Sequence, residues 1–478
     1  MIVQSPSTDP QIRGAALIAL GRVGDEADAE VFLSILWPGR GDPHVQSMAA
    51  LGLGLLPPIK EPTIRTRVRE HIAYVAAAKG RDVRVRGFTF VAAGMRARTD
   101  RGMAMSLARQ CTPAYVKDGY DAASLAFACG ISRSGLLLPE LVEAARKSEL
   151  GGKKLNDIGR AHAVAGLGLV GSPLAFETLL DLLRSRRAGI ETRRSAALGM
   201  GRLLREVELT GDQRKQAERA LLRAYAKGRD PHLRAYALIA MACARRPLAL
   251  DKLEDAVASN ADPVVKPYAA IGLGLAARRV VGARRAKIQR LLLERLNGTK
   301  EIEFASALTI AVGLAGAADA TAELVARLER RSSPAAVRGA AAEALGLLQR
   351  PLPPVTRALM NAFREKAPRL VESATLGLGL LGKRGLSKEL VERLQKTSSG
   401  PMQGRLTLAL AYLGQGDAVE PLLALLRDRT KKRVVRELAA VALGLIADPQ
   451  EEDVLFELEA YYNYGATTVV TFELLAIF

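Results

Sequence analysis

Aromatic residues are scarce in this chain. They make up 4% of its 478 residues, and Trp37 is the single tryptophan. Sites that handle extruded nucleobases need aromatic surfaces to stack them, so the scarcity argues against chemistry on bases. Cysteine is scarcer still. Cys111, Cys129 and Cys243 are too few and too scattered for a disulfide framework or a zinc site. Cys129 and Cys243 fall in apolar helical stretches, where buried, inert thiols are expected, and a reducing compartment fits. The four histidines, His44, His71, His162 and His232, show no metal-ligand spacing, and no Ser/His/Asp or Cys/His grouping stands out. Neither catalysis, a metal nor a cofactor is expected. The longest run without Asp, Glu, Lys or Arg covers residues 43–59 and includes His44, Gln46 and the Pro57-Pro58 pair. It is too short and too interrupted to span a bilayer. The opening MIVQSPSTDP lacks the charged and apolar regions of a signal peptide. A cytoplasmic protein is the expectation. Cationic residues stop at Arg436. The tail beyond it carries eight acids against an overall charge of +19, which leaves +27 on the rest.

What the chain does contain is one pattern, repeated. Residues 230–244, DPHLRAYALIAMACA, return with variations near Asp9, Asp262 and Lys432. Each copy closes on a small residue: Gly21, Gly54, Gly94, Gly130, Gly168, Gly201, Ala242, Gly274, Gly313, Gly346, Gly377, Gly414 and Gly444, spaced 30 to 41 residues apart. That period belongs to stacked helical pairs, not to separate globular domains. Eight residues before these 13 anchors, nine positions are basic, where 69 Lys and Arg in 478 residues would place about two. They are Arg13, Arg86, Arg160, Arg193, Arg234, Lys266, Arg338, Arg369 and Arg436. Four residues earlier stands an acidic column of Asp9, Asp42, Asp82, Asp118, Asp230, Asp262, Glu301 and Glu365. An Asp before a helix accepts hydrogen bonds from its free amides and complements its dipole. Proline after Asp9, Asp42, Asp230 and Asp262 suits the first helical position.

The D-P-x-x-R-x-x-A-x-x-A-L-G pattern resembles the second helix of a HEAT repeat, of the kind also seen in phycobilin-lyase-type HEAT-like proteins, and it covers nearly the whole chain. The resemblance implies second helices lining a concave face. It also implies, as one alternative function, a bilin-lyase-like enzyme or chaperone. The expected fold is all-α: a right-handed α-solenoid, an alpha-alpha superhelix, of about 12–13 helical hairpins over residues 1–456, with residues 457–478 as a C-terminal cap. Within it, residues 419–427 read as a first helix and residues 435–446 as a second. The first repeat opens directly at a second helix over residues 11–22, so the expectation is either that the N-terminal cap is missing or that another chain supplies that contact. Insertions at residues 57–62, 205–212, 278–285 and 349–354 all follow second helices and would decorate one edge.

Two strings match G-x-G-x-x-G: Gly166-Gly168-Gly171 and Gly377-Gly379-Gly382. A dinucleotide site places them after a strand and at a helix start. Here they fall at helix ends in the repeat register, so packing is the expected role. The basic column admits two readings. In one it is an Asp–Arg ladder internal to the fold. In the other, Arg193, Arg338 and Arg436 have no acid four residues back, and Arg160 follows Asn156, so these four carry donors for a partner. Arginine forks match carboxylates and phosphates. The expected function is a non-catalytic scaffold that binds a protein with an acidic or extended surface. Nucleic-acid binding through the phosphate backbone is the alternative, and it requires a basic stripe along one face.

Overall fold

The computed structural model describes residues 2–37, 41–78, 80–259, 262–381 and 386–447. The proposed cap at residues 457–478, and the boundary at 456, lie outside them. Among the described residues the chain forms 25 α-helices, six short 3-10 turns and one pair of two-residue strands. The backbone divides into two compact units. One runs to Ala220 and takes in residues 443–447; the other is Leu221–Ala442.

In the first unit the second helices are Pro10–Val23, Pro43–Leu55, Val83–Ala97, Gly119–Ile131, Asp157–Val170 and Ile190–Glu206, each packed on the next. In the second unit Pro231–Cys243, Val265–Ala277, Ile302–Leu314, Ala335–Leu347, Pro368–Leu380 and Gly400–Leu413 stack the same way. First helices such as Phe176–Arg184 pack against the second helix that follows, and Val419–Arg427 packs on the turn Gly416–Ala418 before it. The chain is thus an all-α solenoid of helical hairpins, as the 30–41 residue period predicts. Where a first helix would precede Pro10, the turn Ile2–Gln4 packs on that helix, with Val3 buried.

The column acids begin the second helices. Asp9 accepts from the amide of Gln11, Asp42 from His44 and Val45, Asp82 from Arg84, Asp118 from Tyr120 and Asp121, and Asp230 from Leu233. Pro10, Pro43 and Pro231 are the first helical residues, where a missing amide hydrogen removes no helical bond. Further along, the small anchors set the distance between helices. A Cβ on Gly130 would lie 2.5 Å from the Cα of Gly166, and one on Gly346 would lie 2.7 Å from the Cα of Gly377. Glycine costs about 1 kcal/mol of helix propensity relative to alanine, and this backbone approach is what it permits.

The strand pair departs from the helical pattern. Glu149 faces Lys154 and Leu150 faces Lys153, across Gly151 and Gly152 at φ +57 and +73. Two successive left-handed residues suit a two-residue hairpin turn, which glycine makes without strain. The hairpin sits between the helices Leu138–Lys147 and Asp157–Val170.

Candidate protein-binding surface

The basic column proves to hold the hairpins together. Nε of Arg193, Arg338 and Arg436 donates to the carbonyls of Leu183, Leu328 and Leu426, at 3.5, 2.8 and 2.9 Å. Each acceptor is the next-to-last residue of the first helix in the same hairpin. Nε of Arg234 reaches the carbonyl of Tyr225 at 3.2 Å, and that of Arg160 reaches Ala145 at 2.7 Å. The last carbonyls of a helix have no partner within it, and a cation there also complements the helix dipole. One guanidinium therefore closes one helix from the start of the next.

The outer nitrogens reach the next repeat. Arg338 forks onto both carboxylate oxygens of Glu365, and this bond holds the Glu365 carboxyl below the usual range. Arg234 pairs with Asp262 at 3.6 Å, Lys266 with Glu301, and Arg86 with Asp118 at 3.7 Å. All four are contacts from a basic column position to the acidic column position of the following repeat. The rule that a missing acid four residues back leaves donors free fails for Arg338, because its acid comes from the next helix. Arg160 adds a 3.4 Å contact to the Arg146 carbonyl, and burial lowers its pKa. Arg193 is half-buried. For Arg436 only the Nε bond is found among the described residues.

Buried carboxylate chemistry appears once in this ladder. Asp121, fully buried, accepts both Nε and Nη2 of Arg86 at 3.1 Å and the amide of Lys117 at 3.0 Å. Burial pushes its pKa up against those donors. Every donor around it comes from the fold, so it is a structural joint.

Second helices differ in how far they are buried. In the first unit, Pro43–Leu55, Val83–Ala97 and Gly119–Ile131 are buried at every residue from Val45, Val85 and Asp121 onward. In the second unit a half-exposed row runs down each second helix from Val265–Ala277 to Gly400–Leu413. It holds Tyr268, Ile271 and Leu275, then Ala307, Ile310 and Leu314, then Glu343 and Leu347. It continues with Ser373, Leu376 and Leu380, then Arg405, Leu408 and Tyr412, the last 49% exposed. Ile239, Ile271 and Ile310 occupy one repeat position, three residues before the closing small residue. Leu275, Leu314 and Leu347 occupy another, one residue after it. Stacked helices with equal registers thus align apolar side chains into columns. The charged members are Glu343, which accepts from Ser373 Oγ at 2.6 Å, and Arg405, with Glu372 beside them. The surface is apolar and mixed, not basic.

A second surface lies on first helices of the first unit. Trp37, 64% exposed, stacks on Tyr74 with ring centroids 6.3 Å apart and meets the tilted ring of His71 at 5.4 Å. With Glu30, Leu33, Ser34, Arg67 and Glu70 these rings line an open groove of about 570 Å³. The sequence marks Trp37 only as the single tryptophan. The signal that could have found the groove is the His71/Tyr74 spacing on the Pro62–Ala77 helix, which puts both rings on one face.

No family model matches the chain. No curated protein matches it either. Among solved structures, it is similar to human deoxyhypusine hydroxylase in complex with glycerol: 18% identity over 67% of this chain and 99% of that one, TM-score 0.27. It is similar to Kap95p, from a structure concerned with its binding to RanGDP: 12% identity, 94% of this chain and 65% of that one, TM-score 0.41. Kap121p bound to Nup53p matches at 12% identity over 86% of this chain and 48% of that one, TM-score 0.41. The chain thus spans about half to two thirds of the length of these Kap chains. At such scores the solenoid assignment rests on the chain's own helix order and packing.

The glycine strings belong to that packing. Gly166 and Gly168 lie inside the Asp157–Val170 helix against Gly130 and Gly199, and Gly171 caps it at φ +64. Gly377 and Gly379 lie inside Pro368–Leu380; Gly382 is outside the described residues. Among the described residues no group of His, Cys, Asp and Glu could hold a metal ion, and no helix is long and apolar enough to cross a membrane.

Proposed function

We propose that the chain is a non-catalytic scaffold whose second unit holds an extended protein segment along the apolar row of its second helices. The observation that carries this reading is the composition of that row. Tyr268, Ile271, Ile310, Leu314, Leu376, Leu408 and Tyr412 are half-exposed or exposed, and charges of both signs are few. A backbone-reading nucleic-acid surface needs a row of lysine and arginine, whereas the column that would supply it donates to helix carbonyls. An extended peptide suits aligned columns because its own side chains repeat at a fixed rise. Of the four arginines, Arg436 keeps outer nitrogens for carboxylates of the bound segment, while Arg160, Arg193 and Arg338 bond the fold.

The test is a pull-down with wild-type chain and Ile310→Glu, at low and high salt and with and without nuclease. Protein capture should survive nuclease and salt, and Ile310→Glu should weaken it at least tenfold without lowering the melting temperature. Capture that vanishes with nuclease would move the assignment to nucleic acid. Retention of a bilin chromophore would move it to the lyase-like alternative that the HEAT-like resemblance implies.

A further inference from the structure

The fold brings together two cysteines that the sequence separates. Cys111 ends the helix Arg101–Gln110, and Cys129 lies in the last turns of the helix Gly119–Ile131. Their sulfurs are 3.6 Å apart. Both thiols are free. Cys129 is fully buried, while Cys111 is half-buried at the rim of its hairpin, with its Sγ also 3.5 Å from the Leu107 carbonyl. The contact with Cys111, together with burial, holds the Cys129 thiol well above the ordinary cysteine range. One partner is therefore reachable from solvent and the other is a protonated thiol waiting beside it. This is the arrangement of an attacking and a resolving cysteine.

We propose that Cys111 and Cys129 are a modification site: a dithiol that a hydroperoxide oxidises to an intrachain disulfide and a cellular thiol reductant restores. The Cys111 thiolate attacks one peroxide oxygen; an S–O bond forms, the O–O bond breaks, and the departing oxygen takes up a proton as water or alcohol. The Cys129 sulfur then attacks the Cys111 sulfenic sulfur and gives up its proton. The S–S bond forms, the S–O bond breaks, and the hydroxide leaves as water with that proton. With hydrogen peroxide, two thiols and one peroxide become one disulfide and two waters. The two sulfurs together lose the two electrons that the peroxide oxygens gain.

The bond would act on a joint between hairpins. It closes the segment 112–128, whose Lys117 donates through Nζ to the carbonyls of Ala77 at 3.0 Å and Ala78 at 2.6 Å, and through its amide to Asp121. Asp121 in turn holds Arg86. Oxidation thus tightens a loop that ties two successive hairpins. The proposal stands apart from the peptide-binding reading, since none of its residues lies in the second unit.

The experiment treats the full chain with hydrogen peroxide, blocks remaining thiols, and maps peptides by mass spectrometry. The expected product is a Cys111–Cys129 cross-linked pair about 2 Da lighter than the two thiols, lost on adding dithiothreitol, with Cys243 still reduced. Hydrogen exchange across residues 112–118 should slow several-fold on oxidation and recover on reduction. In Cys129→Ser, Cys111 should accumulate as a sulfenic acid trapped by dimedone. Should that variant not fold, the cross-link in the wild-type chain decides alone. Cys111 accumulating as an uncross-linked oxidised thiol in wild type, or Cys243 reacting as fast as Cys111, overturns the assignment.

Discussion

At the residue scale five members of the basic column, Arg160, Arg193, Arg234, Arg338 and Arg436, close helices. Arg338 is 6% exposed and bonds the Leu328 carbonyl and both oxygens of Glu365. Arg338→Gln should cost about 1–3 kcal/mol, the range for leaving buried polar groups unpaired. Arg369 holds the same column position but is exposed and makes no hydrogen bond or ion pair among the described residues. Arg369→Gln should change stability by less than about 0.5 kcal/mol. Urea unfolding of both variants checks the contrast, and equal effects would refute the closure role. His162 offers a second handle. It is buried beside Phe127, ring centroids 5.7 Å apart, and burial pulls its pKa down to about 4. Between the ordinary histidine value near 6.5 and about 4, the unfolded chain binds a proton that the folded chain does not. Stability then falls as pH drops through that window and levels below it. The loss is on the order of 3 kcal/mol. Acid titration of His162→Gln should show a flatter slope across the same window than wild type.

At the element scale, closely approaching glycines set how near the second helices come. Gly130→Val would drive Cβ and its methyls into the Gly166 backbone, starting from 2.5 Å. Overpacking of this kind typically costs about 1–3 kcal/mol, and backbone on the receiving side cannot rotate away. Gly298, at the end of the Gly282–Gly298 helix, has nothing within 4 Å of an added Cβ. Gly298→Ala should be neutral or stabilising by up to about 1 kcal/mol. Thermal melts of the pair separate glycines that permit close approach from those that merely occupy a helix.

At the scale of the whole molecule the charge of +19 and pI near 10.0 govern non-specific encounter more than recognition. A surface neutralising 6–10 phosphates would lose roughly 10³–10⁵ in affinity between about 50 and 200 mM salt. Binding along an apolar row should lose less than about tenfold over that range. Affinity measured across the salt series discriminates the two, and a steep slope would count against the row.

Much of this was legible in the sequence because it is local. Helix starts are written as Asp-Pro, since an N-cap and the first helical residue are neighbours along the chain, and Asp9, Asp42 and Asp230 cap the helices they precede. The repeat period gave the hairpins, and residues 419–427 form the helix Val419–Arg427 as expected. What the sequence could not state is which partner each side chain meets across a packing interface. Arg338 finds its acid 27 residues ahead in Glu365, and Cys111 and Cys129, 18 residues apart, come within 3.6 Å. Exposure was likewise decided only by packing. The same pattern is buried from Val85 onward in Val83–Ala97 and leaves Ile271 and Ile310 half-open in the second unit, because burial depends on what surrounds a helix, which its own residues do not encode.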